Sequence, residues 1–150
     1  LIGSVTNNFN IYSNNYQKKD ILKDPKIMQE ISKLQSIDSK VRAHEMAHQA
    51  AGGGLAGAPT YSTVKGPDGK EYAVAGEVPI KIQKGKTPEE TIKLMNQVKA
   101  AALAPADPSP QDLKVAQTAD MIAAKAMQEM NNNFNDQNYQ NPKMKIDLYA

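Results

Sequence analysis

Three consecutive glycines, Gly52-Gly53-Gly54, cut the chain in a way that constrains everything around them. Glycine accepts the left-handed backbone of a helix stop, so the run marks the end of a helix. The residues before it have helical spacing: Val41, His44, Ala47, His48 and Ala51 recur at three- and four-residue intervals. A first helix is expected from Asp24-Pro25, with Asp24 as N-cap, Pro25 at the first helical position and Ile27, Ile31 and Leu34 as its apolar stripe. Asp38 either caps a second helix or lies within a continuous one.

After the glycines the pattern changes. Tyr61–Lys65 is expected to be a strand, Gly66-Pro67-Asp68-Gly69 a turn and Glu71–Gln83 the returning strand, with Pro79 marking an edge or a bend. Alternation places Tyr72, Val74, Val78, Ile80 and Ile82 on one face, and Ala73, Ala75 and Glu77 on the other. Thr87-Pro88-Glu89-Glu90 is a capping box that opens a helix through Ile92, Met95, Val98 and Ala102. Ser109-Pro110 starts a last helix through Leu113, Ala116, Ala119 and Ile122 to about Met130. The expected fold class is α+β: a mostly helical single domain with a small antiparallel β-hairpin. The folded domain is expected over 21–130, between an N-terminal arm, 1–20, and a C-terminal tail, 131–150, both rich in Asn. Met144–Tyr149 reads as a short strand or as part of that tail.

Composition limits how such a domain holds together. With 2 Phe and no Trp in 150 residues, the core must come from Ala, Val, Ile, Leu, Met and a few Tyr. A core so thin gains from a bound metal ion. A formal charge of +2, with Lys and Arg spread along the chain, argues against a nucleic-acid partner. No apolar run reaches the length of a membrane span. The absence of cysteine removes disulfides, thiolate metal sites and a thiol nucleophile. The chain begins at Leu1, which leaves room for an upstream targeting segment, and the cytoplasm is the default expectation.

Both histidines of the chain fall in His44-Glu45-Met46-Ala47-His48. Four residues apart on a helix, they lie on one face, one turn from each other, where two imidazoles can share a tetrahedral zinc ion. Glu45 sits about 100° around the helix from His44. There its carboxylate reaches a metal-bound water without ligating the metal, as a general base and then an acid in amide hydrolysis. A catalytic zinc needs a third protein ligand and an open position. A third histidine is not available, and Gly52 is one residue off metzincin spacing, so a carboxylate from a later element, as in gluzincins, is the better expectation. Glu77 is the first candidate, because Ala73 and Ala75 beside it let its strand face pack closely on the histidine helix. Glu89, Glu90, Asp107 and Asp112 remain alternatives. Glu89 and Glu90 have a local explanation in capping and the helix dipole, and Asp107 has one in its Pro-rich turn. Arg42 reads as an exposed side chain or a carboxylate partner. Tyr61 and Tyr72 read as hairpin packing or as donors to an oxyanion.

Four segments together carry a family resemblance. They are Ile37 through Gly54, Gly66-Pro67-Asp68-Gly69, Tyr72-Ala73-Val74-Ala75-Gly76-Glu77-Val78-Pro79-Ile80 and Ala101-Ala102-Leu103-Ala104-Pro105-Ala106-Asp107-Pro108-Ser109. In that order, over roughly 30–126, the chain resembles the bacterial SprA-related family of metalloproteases. The resemblance implies a zincin-like metal site at His44, Glu45 and His48, and makes Gly76-Glu77-Val78 a family segment. The expected function is a zinc-dependent metallopeptidase acting on a peptide or protein substrate. The alternative is a non-catalytic, zinc-stabilised interaction module of a cell-envelope or secretion assembly.

Overall fold

The computed structural model describes residue 20 and residues 22–139, with side chains as far as Asp136. Helix α1 (Pro25–Gly52) leads through a 3-10 turn (Gly53–Leu55) to strands β1 (Thr60–Lys65) and β2 (Glu71–Glu77), then helices α2 (Pro88–Ala102) and α3 (Pro110–Tyr139). The fold class is α+β, mostly helical, with one antiparallel hairpin. Most of the expected N-terminal arm and the Met144–Tyr149 segment lie outside the described residues. Among the described residues, no helix is long and apolar enough to cross a membrane. The described residues gather into two compact units: one up to Ala43 with Thr60–Glu77, the other His44–Pro59 with the chain from Val78 onward.

In the first unit, the Asp24 carboxylate accepts the Lys26 N–H at 2.8 Å, the cap expected from Asp24-Pro25. Ile27, Ile31, Leu34 and Val41 are the half-buried stripe. No break occurs at Asp38, and α1 runs unbroken for 28 residues. Instead of capping, the Asp38 carboxylate accepts the Ala73 N–H of β2 at 2.7 Å and the Arg42 Nε–H at 3.0 Å. The Ala73 N–H holds this carboxyl below the usual range; desolvation opposes the shift and the Arg42 guanidinium adds to it.

The hairpin pairs Thr60 with Glu77 and Lys65 with Glu71, but Ser62 faces Ala75 while Thr63 faces Ala73. Val74 is therefore the extra residue of a β-bulge. The bulge breaks the expected alternation: Tyr72 and Ala73 are both buried, and Val74 is exposed. In the turn, the Gly66 N–H bonds to Lys70 O at 2.7 Å and Gly69 has φ 81°. Asp68 accepts the Lys70 N–H and the Tyr72 hydroxyl, the latter at 2.6 Å.

In the second unit, Gly53 takes φ 51° and ends α1 as the glycine run requires. β2 stops at Glu77, short of the expected Gln83, because Pro79 has no N–H to give a ladder. What remains is an isolated bridge between Ala56 and Ile80, with the Gly57 N–H on Pro79 O and the Lys81 N–H on Leu55 O. Thr87 caps α2, accepting the Glu90 N–H, while the Glu90 carboxylate reaches back one residue further than expected, to the Lys86 N–H at 2.6 Å. Helix α3 passes the expected end near Met130 and continues to Tyr139. Asn is a poor helix former, but neither Gly nor Pro interrupts the run before Pro142. The core joins Leu55, Met95, Val98, Ala119 and Ala123, flanked by Ile80, Leu94, Val115 and Ile122. Ala101, Ala102, Ala116 and Ala126 are buried as well, and such small side chains let packed helices approach closely.

Candidate metal centre

The last two turns of α1, the end of α2 and the first turn of α3 supply the site. His48 is 3% exposed, and its Nδ1 lies 2.8 Å from the carbonyl oxygen of Ala101. A carbonyl oxygen only accepts, so Nδ1 carries the proton and Nε2 is left as the donor atom for a metal. Ala101 offers that oxygen because α2 ends at Ala102, and the last carbonyls of a helix have no intrahelical partner. His44 lies one turn earlier on the same face, 22% exposed, with its Nε2 at 3.2 Å from that of His48. The rings meet edge to face, 76° between their planes.

The carboxylate at this pair is Asp112. Its Oδ2 lies 3.6 Å from His44 Nε2 and 3.4 Å from His48 Nε2. Local sequence fixes it there: the Ser109 N–H donates to the same Oδ2 at 2.7 Å, and the Asp112 N–H donates to Ser109 Oγ, a reciprocal cap on α3. Burial tends to raise the Asp112 carboxyl, but the Ser109 hydroxyl and N–H outweigh it, with the two imidazoles adding to them, and hold the group below the usual carboxylate range. Among the described residues, His44, His48 and Asp112 are the group of side chains close enough to hold one metal ion.

The donor set passes a test of size. The corners of a triangle with edges of 3.2, 3.4 and 3.6 Å lie about 2.0 Å from its centre, and zinc bonds to imidazole nitrogen and carboxylate oxygen are about 2.0–2.2 Å long. Chemistry agrees with size. Two imidazole nitrogens and one carboxylate oxygen suit a divalent first-row metal, and the His48–Ala101 bond orients that ligand from behind.

Glu45, the residue after His44, is buried at 3% exposure. Glu77 belongs to the other compact unit, exposed at the end of β2 opposite Thr60. The carboxylate that the second unit itself brings to the imidazoles is Asp112. Glu90 is used in capping α2, and Glu89 stands exposed in the first turn of that helix. Asp107 is 94% exposed, with Oδ1 at 3.5 Å from His44 Nδ1. Arg42 holds Asp38 and lies over the Tyr61 ring, 4.8 Å from its centre, while the Tyr72 hydroxyl is engaged by Asp68. The signal that could have favoured Asp112 was Ser109-Pro110-Gln111-Asp112, a helix start that directly follows the Ala101–Ser109 segment.

Fold and donors together define the class: a small α+β protein with a His-His-Asp group able to hold a metal ion. The profile of the SprA-related family matches residues 11–141, and the chain belongs to that family. No curated protein and no solved structure matches the chain.

Proposed function

We propose that the protein is a zinc-dependent metallopeptidase in which His44, His48 and Asp112 hold the ion and Glu45 is the general base. The observation that carries this reading is the triangle of donor atoms, 3.2–3.6 Å on each edge, whose two histidines belong to a His-Glu-x-x-His segment with a buried glutamate. A zinc ion held by His44, His48 and Asp112 would supply a water acidified toward neutral pH and a Lewis acid for the scissile carbonyl. The chain supplies the rest. His48 keeps its Nδ1 proton on Ala101 O, so that Nε2 remains a donor. Glu45 takes up the proton of the attacking water and returns it to the departing amide nitrogen. Ser109 holds the Asp112 carboxylate in its ionised form.

A second reading draws on the double use of Asp112 Oδ2, which faces the imidazoles and also caps α3. An ion held there ties the end of α1 to the start of α3, the role of a structural zinc in a non-catalytic interaction module. One experiment separates the two. The purified chain is assayed for zinc content and for cleavage of a mixed peptide library, as wild type and as Glu45→Gln. An enzyme keeps stoichiometric zinc in the variant and loses cleavage by at least about a hundredfold. Stoichiometric zinc with no cleavage by wild type favours the structural role. A wild type without zinc sinks both.

A further inference from the structure

We infer that Asp107 is a positioning residue for His44, holding the ring in the tautomer and orientation that turn Nε2 toward His48 and Asp112. The inference deepens the metal-centre reading above and rests on it. Each Nε2 belongs to the donor triangle, and each Nδ1 has an oxygen near it: Ala101 O, hydrogen-bonded to His48 at 2.8 Å, and Asp107 Oδ1, in a longer ion-pair contact with His44 at 3.5 Å. The partner of His48 is main chain and buried. That of His44 is a carboxylate on the connection between α2 and α3.

The connection limits where the Asp107 backbone can go. It starts from the Leu103 N–H on Lys99 O and the Ala104 N–H on Ala101 O, and ends at the Ser109–Asp112 cap. Pro105 is buried within it, and Pro108 follows Asp107 directly. A residue before proline is kept out of the right-handed helical region, so the Asp107 backbone has few conformations to choose from. Because Asp107 meets Nδ1 and not Nε2, it acts through His44 and is not a further donor to the ion. A carboxylate behind a ligating histidine fixes its tautomer and raises its basicity, and removing such a partner costs about tenfold to a hundredfold in metal affinity. Asp107 is 94% exposed, so the metal-free fold does not depend on it.

The test uses the full chain. Zinc affinity is measured by competition with a chromophoric chelator, the visible spectrum is recorded with cobalt(II) in place of zinc, and the metal-free protein is melted by circular dichroism. Asp107→Ala is expected to weaken zinc binding about tenfold to a hundredfold and to shift the cobalt bands, with an unchanged metal-free melt. Asp107→Glu is expected to recover part of the affinity and the wild-type spectrum. If Asp107→Ala matches wild type in affinity and spectrum while His44→Ala loses the metal, this inference fails and the metal centre stands. If Asp107→Ala loses the metal as completely as His44→Ala, Asp107 is a donor and the positioning role is wrong. If wild type holds no zinc and His44→Ala changes nothing, the metal reading fails and this inference with it.

Discussion

Replacing Asp112 in two ways separates its two jobs. In Asp112→Asn the side-chain oxygen still accepts the Ser109 N–H, so the α3 cap survives and only the charge is lost. A charge at a helix N-terminus contributes about 0.3–1 kcal/mol, and the metal-free protein should lose no more than that. The effect on the metal is larger. Losing the charge of a direct ligand should weaken zinc binding by more than the roughly tenfold to hundredfold that loss of an outer partner costs. Asp112→Ala removes the acceptor as well. The Ser109 N–H is then left without it, at about 1–3 kcal/mol, which for a chain of this size lowers the metal-free melting temperature by roughly 2–12 °C. Chelator competition reads the first quantity and thermal melting by circular dichroism the second. The reasoning is refuted if Asp112→Asn binds zinc like wild type. It is replaced by the strand reading if Glu77→Gln then proves to be the variant that loses the metal.

Other consequences follow from single contacts. The Asp38 carboxyl is held below its unfolded value by the Ala73 N–H against desolvation, with Arg42 adding to it, so its stabilising effect is present above about pH 3.9, the ordinary Asp value, and is lost as pH falls through the lower folded value. Urea denaturation should therefore show wild type more stable than Asp38→Asn at pH 7, with the gap closing in acid below the ordinary carboxylate range. A gap that does not change with pH would refute the assignment. Gly53→Ala places a side chain at φ 51°, at a cost of about 1–2 kcal/mol, whereas Gly54→Ala meets open space; the difference between their urea midpoints measures the helix stop. Ala101→Gly leaves the carbonyl acceptor of His48 in place but loosens the last turn of α2, so zinc affinity should fall less than in His48→Ala, as read by the same chelator titration.

Punctuation was what the sequence made legible. Asp24-Pro25, Thr87 with Glu90, Gly53 and the Gly66–Gly69 turn each carry a short-range physical instruction, and the chain obeys each. What stayed hidden were side chains whose local explanation was complete but not exhaustive. Asp38 read as a cap or as a residue within a continuous helix; the helix is continuous, and the carboxylate accepts a strand N–H, that of Ala73. Asp112 stood among the alternatives for the third donor without a signal to single it out; its Oδ2 caps α3 and also faces two histidines on a different helix. The bulge at Val74 was hidden for another reason: alternation assumes an even ladder, and one inserted residue reverses it. Glu77 was chosen on that alternation.

The His44–Glu45–Met46–Ala47–His48 segment fixes two donors, but the rest of the centre is made of helix ends. α2 stops at Ala102 and leaves the Ala101 carbonyl for His48. α3 starts at Pro110; Ser109 Oγ accepts the Asp112 N–H, and the Asp112 carboxylate accepts the Ser109 N–H in return, which holds that carboxylate at the helix start. Packing of α2 on α3 through Val98, Ala119 and Ala123 brings an oxygen-rich C-terminus and an anion-bearing N-terminus together beside the same histidines. The connection between these helices carries Asp107, set between two prolines. A lengthened connection therefore tests the centre as a whole. Inserting two glycines between Ala106 and Asp107 leaves every donor in the chain. It frees Asp107 while the Ser109–Asp112 cap and the α2–α3 core remain. Zinc affinity should fall by no more than the Asp107→Ala variant loses. A complete loss of zinc would mean that the connection, rather than core packing of Val98, Ala119 and Ala123, sets the position of Asp112.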